Sequence, residues 1–197
     1  MTALTMAYGL GFSADELAFS EQIRAKANKV VSRIANEIYM FLNLGMGQTT
    51  QETDEQFNLV IESANKSLEK ILRQFPELIA KADLSIDRVN DAINVVQVGD
   101  SKYTEFAPVE SLLNLAMGLS EQMAFSFRQT RKQIENSNIN VLALAKTIDL
   151  LRELEDNCLI LYKKLDELFE RMQIRDAMTE APLKVSGIRE LDALNEL

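Results

Sequence analysis

Ten apolar side chains advance by three or four residues at every step over the last third of the chain: Val141, Leu144, Ile148, Leu151, Leu154, Cys158, Leu161, Leu165, Leu168 and Met172. That spacing places them on one face of a helix and on no other regular structure. The mean step of about 3.4 residues lies close to the coiled-coil repeat of 3.5. Leu142, Ala145, Leu159, Tyr162 and Phe169 widen the stripe on one flank. A broad stripe suits a bundle with several neighbours better than a two-stranded seam. Such a helix is about 50 Å long, long for a compact domain of this size.

Comparable stripes recur upstream. Ser13, Asp15 and Glu16 open a capping box, followed by Leu17, Ile23, Ala27, Val30, Ile34, Ile38 and Phe41, with Gly45 and Gly47 as terminators. Thr49 or Thr50 caps a second helix with Phe57, Ile61, Ala64, Leu68, Ile71 and Phe75 inward. Pro76 breaks or kinks it. A short helix over residues 77–82 is expected next, then another capped by Ser85 with Ile86, Val89, Ile93 and Val96 inward. Val98 to Asp100 closes that element, and residues 99–107 read as a loop. Pro108 suits the first turn of the next helix, whose stripe is Val109, Leu112, Ala116, Leu119, Met123, Phe127, Thr130 and Ile134. Asn136, Ser137 and Asn138 compete for backbone hydrogen bonds and mark a turn.

The fold class that follows is all-α: an elongated antiparallel helical bundle of four main helices plus short ones, with a coiled-coil-like final helix. Residues 1–175 form the bundle, with 1–12 as an apolar N-terminal arm. Pro182 separates residues 176–197 as a tail, in which Ile188, Leu191 and Leu194 form one side of a short amphipathic helix.

Composition narrows the function classes. A net charge of −9 opposes binding to nucleic acid, whose affinity comes largely from neutralised phosphates, and to anionic lipid. The sequence has no histidine and one cysteine, which removes the commonest general base, the commonest transition-metal ligand and any intrachain disulfide. No segment has the roughly 18 apolar residues of a membrane span, and residues 1–12 lack the basic start of a signal peptide. A cytoplasmic protein without stable membrane anchoring is expected.

No reaction centre can be assembled from what remains. Glu153, Glu155, Asp156, Glu167 and Glu170 read as a solvated face, and Cys158 within the stripe as an inert buried thiol. Lys26, Lys29 and Arg33 share one helix face, and Arg128, Arg131 and Lys132 crowd another. Either set suits phosphate or an acidic partner, and ordinary surface charge is the plainer reading of both. Asn65-Lys66-Ser67, formally a glycosylation sequon, falls mid-helix and carries no meaning there.

The expectation is a non-enzymatic adaptor, scaffold or assembly subunit without a cofactor or metal, binding a protein partner or itself as a homo-oligomer. The interacting residues on this reading are Leu154, Leu161, Leu165, Leu168 and Met172, with Ile188, Leu191 and Leu194 of the tail. One alternative is a ligand-sensing bundle whose Met123, Phe125, Phe127, Phe169 and Met172 line a cavity. Another is a membrane-inserting bundle with Ile38 to Leu42 as its tip.

Overall fold

The computed structural model describes residues 14–45, 51–97, 107–137, 139 and 142–195, and the side chains of 14–43, 51–91, 112–137, 139 and 143–174. Five helices account for nearly all of them: α1 (Ala14–Gly45), α2 (Gln51–Leu72), α3 (Phe75–Gln97), α4 (Ala107–Asn136) and α5 (Leu142–Asn195). No strand occurs among the described residues. The expected arm over 1–12, the caps at Ser13, Thr49 and Thr50, and the close at Val98 to Asp100 lie outside them.

The apolar stripes become the core. Ile23, Ala27, Ile34 and Ile38 of α1 meet Phe57, Ile61, Ala64, Leu68 and Ile71 of α2 and Ala116, Met123 and Phe127 of α4, all buried. Each large side chain removed from water contributes roughly 1.5–3 kcal/mol, so the stripes supply the main force holding the helices together.

Helices α2 and α3 form a single kinked rod. The Arg73 N–H still bonds the Glu69 carbonyl at 3.1 Å, and the Gln74 N–H tightens onto Ile71 at 2.9 Å. Pro76 has no N–H to give Leu72, so the rod bends there and resumes at once. The expected break at residues 82–85 does not occur: Ser85 is buried in mid-helix, not at a cap. The stripe Phe75, Leu78, Ala82, Ile86 and Val89 is buried along its whole length, and that burial outweighs the weak helix preference of one serine.

Four rods result, with α1 beside α2 and α4, and α5 beside α4, α3 and α2. Ion pairs fix their directions. Glu69 meets Lys146 at 2.6 Å and Asp83 meets Lys164 at 2.7 Å, so α2–α3 and α5 ascend together. Arg128 and Arg131 meet Glu155 across the short turn that joins residues 136 and 142, so α4 and α5 run antiparallel as a hairpin. The turn between them begins at Ser137, whose N–H and hydroxyl both bond the Ile134 carbonyl, at 3.1 and 2.7 Å. They satisfy one of the carbonyls that every helix end leaves open.

Helix α5 has 54 residues, about 80 Å of rise. It passes through Pro182, where a separated tail was expected. A proline fixes φ near the helical value and costs one hydrogen bond, and the surrounding Ala177, Met178, Glu180, Ala181, Leu183 and Lys184 favour helix.

Candidate interaction surface

Five of the eight residues expected to bind a second chain belong to the chain's own interior. Leu154, Leu161, Leu165 and Leu168 are 0% exposed and Met172 is 3% exposed. Two neighbouring rods, α3 and α4, flank α5 and cover the broad stripe that sequence alone offered to a partner. In this fold those five side chains cannot reach another copy. Ile188, Leu191 and Leu194 fall within the span of α5, and their side chains lie outside the described residues.

The α4–α5 seam contains polar chemistry that reads as structural. Glu155, 8% exposed at its side chain, accepts from Arg128 Nε at 2.6 Å and from Arg131 at 3.0 Å. Burial alone would raise its carboxyl, but the two guanidinium groups outweigh burial and hold it below the ordinary carboxylate value. Sequence reasoning grouped Glu155 with surface carboxylates and both arginines with surface cations; the structure buries Glu155, half-buries Arg131 and leaves Arg128 exposed. Cys158, one turn on, is fully buried. Burial, with the negative charge of Glu155, pushes its thiol far up, so the reactive thiolate is suppressed.

A second buried network joins α2 to α5. Asn65 donates to the Ala143 carbonyl at 3.0 Å and accepts from the Thr147 hydroxyl at 2.7 Å. The signal for it was present in sequence: Asn65 stands four residues after Ile61, on the apolar stripe. Among the described residues no group of three or more acidic or cysteine side chains is placed to hold a metal ion.

Of the surface grooves, two bear on the charged and apolar faces. The first lies between α1 and α2 and has a volume of about 530 Å³, lined by Lys26, Lys29, Val30 and Arg33 and by Ser67, Lys70, Ile71 and Gln74. The Lys26–Lys29–Arg33 face expected from spacing is there, and α2 adds Lys70, which spacing within one helix could not reveal. No carboxylate lines the groove, and none of its four cations is ion-paired among the described residues.

The second groove crosses the outer face of α4 and α5. Phe125, 59% exposed, and Leu159, 38% exposed, share it with Asn28, Glu121, Gln122, Ala124, Ser126 and Arg128 in about 510 Å³. Leu115 on α4 and Ile160 on α5 are exposed as well.

Phe125 therefore points away from Met123, Phe127 and Met172, which are buried in the core; the five residues expected to line a ligand cavity do not converge. At the end of α1, Ile38 is buried while Tyr39, Met40 and Leu42 are exposed, and the Phe41 ring packs 4.3 Å from that of Phe57. No helix among the described residues is long and apolar enough to cross a membrane.

No family model, curated protein or solved structure matches this chain. Its function has to be read from its own surfaces.

Proposed function

We propose that the chain is a non-enzymatic interaction protein of the cytoplasm, a helical bundle that self-associates and binds protein partners through its outer faces. The observation that supports this is the exposed apolar pair Phe125 and Leu159 on neighbouring helices, bordering one groove. Large apolar side chains scattered singly are ordinary on a protein surface, whereas adjoining ones bordered by polar groups mark contact sites. An aromatic side chain ringed by Gln122, Ser126 and Arg128 has the make-up of an interface centre with a polar rim.

On this reading the self-association face is the outside of the α4–α5 hairpin, and the buried α5 stripe serves folding. Light scattering across a concentration series tests it. The wild-type mass is expected to rise above the 22.2 kDa of one chain, and Phe125→Glu combined with Leu159→Glu is expected to restore that value. A wild-type protein that stays at one-chain mass throughout, or a double variant that associates as before, removes the self-association reading.

A further inference from the structure

We infer that the cationic groove between α1 and α2 receives an acidic amphipathic helix from a partner protein. The inference takes from the preceding section only that the ligand is a protein; the groove lies between α1 and α2 and shares no lining residue with the Phe125–Leu159 groove.

The first argument is charge. Lys26, Lys29 and Arg33 stand at i, i+3 and i+7 on α1, and Lys70 faces the same groove from α2. Like charges three or four residues apart destabilise a helix, and a fourth cation across the groove adds to the repulsion. Lys81, Arg128, Arg131, Lys146, Arg152 and Lys164 each meet a carboxylate; other cations, such as Lys66, Lys132 and Lys163, are in no ion pair among the described residues, but the groove gathers four around one trough that no carboxylate lines. In a chain of net charge −9, four unneutralised cations around one trough are complementary to an anionic ligand.

The second argument is the floor. Half-buried Val30 and the aliphatic stems of the lysines line the groove over the buried Ile71, so the complementary ligand has an apolar stripe as well as flanking carboxylates. Lys26 to Arg33 spans about 10 Å of helix, room for roughly two turns of a third helix laid against the α1–α2 pair. Residues at i, i+3, i+4 and i+7 of that helix would meet the floor, and its acids would meet both rims.

The same features disfavour a bare phosphate. The only hydroxyl in the groove, on Ser67, is committed to the Ser63 carbonyl at 3.1 Å. No helix N-terminus opens into the groove, since its lining residues sit within the spans of α1 and α2 or in the turn after α2.

The test is fluorescence anisotropy on the full chain. The probe is a stapled helical peptide of about three turns, with leucine at i, i+3 and i+7 and glutamate on both flanks. Wild-type protein is expected to bind it, more weakly as salt rises. The triple variant Lys26→Glu, Arg33→Glu, Lys70→Glu is expected to lose at least about tenfold in affinity. The milder Lys26→Gln, Lys70→Gln variant is expected to lose part of it, with circular dichroism and Tm confirming the fold of each. Equal binding by wild type and the triple variant overturns the inference. So does binding of inorganic tripolyphosphate without binding of the peptide, which would make the groove an oxyanion site. A polyglutamate peptide lacking leucine that binds as tightly as the probe overturns the role of the apolar floor. Failure here, with the α4–α5 variant still dissociating, removes the groove inference and leaves self-association standing.

Discussion

Two sets of cations with similar spacing meet opposite fates in this bundle. Arg128 and Arg131 on α4 face a helix that offers Glu155, and they become a clasp around that buried carboxylate. Lys26, Lys29 and Arg33 on α1 face a helix that offers Lys70, and they stay unneutralised around an open groove. The identity of the first set does not decide its role. What decides it is the charge that the neighbouring helix carries at the same level. A cation cluster read along one helix is therefore an incomplete statement until its neighbour is known.

The comparison breaks most easily at Glu155. Glu155→Ala removes the carboxylate from Arg128, which is 45% exposed, and leaves Arg131 with Glu135 at 3.1 Å as its remaining partner. A loss of about 1.5–2 kcal/mol is expected, the scale of hydrogen bonds to a charged group, because Arg128 can rehydrate and Arg131 keeps Glu135; the shift in urea midpoint measures it. A wild-type-like midpoint would mean the clasp is no more than surface pairing. The acid side follows in sign. The folded carboxyl lies below its ordinary 4.5, so its contribution is complete above about pH 4.5 and is lost as pH falls through the lowered folded value. Glu155→Gln is expected to lack that component of the acid-induced fall in Tm.

A smaller effect sits on the same hairpin. Gly118 lies within α4, and a methyl group added there meets nothing within 4 Å. Gly118→Ala is expected to raise stability by about 0.5–1 kcal/mol, seen as a higher urea midpoint. A fall in the midpoint would place an unrecognised contact at that site.

The smallest change is expected in the groove. Lys26→Gln removes like-charge repulsion without breaking an ion pair, so stability should hold or rise by a few tenths of a kcal/mol. A drop of 1 kcal/mol or more, roughly what a lost hydrogen bond to a charged group costs, would class Lys26 with the clasp and close the distinction between the two sets.

Much of the fold was legible because helical burial has a short period. Phe57, Ile61, Ala64, Leu68 and Ile71 on α2, and Leu151, Leu154, Cys158, Leu161 and Leu165 on α5, are buried as their spacing required. Local rules misled where burial overrode them. Ser85 has the chemistry of a cap, yet the stripe from Leu78 to Val89 continues across it. Pro182 has the chemistry of a stop, yet its neighbours are strong helix formers. Pairings between helices were hidden for a different reason. Glu155 with Arg131, Asn65 with Thr147 and Lys70 with Lys26 depend on the relative rotation and level of two helices, which no single-helix period encodes. The surfaces suffered most from this: a stripe assigned to a partner became core, and the Phe125–Leu159 face came to light only once α4 and α5 were side by side.

The position of Cys158 has a practical consequence. It is the only thiol in the chain, it lies in the α4–α5 seam, and the folded protein holds it protonated and shielded. An alkylating reagent should therefore modify it only when that seam opens, so the labelling rate divided by that of the unfolded chain becomes an opening constant. The protein carries its own stopwatch for the hairpin: a partner docked on α1–α2 that slows the labelling would reveal how far its binding energy travels through the bundle.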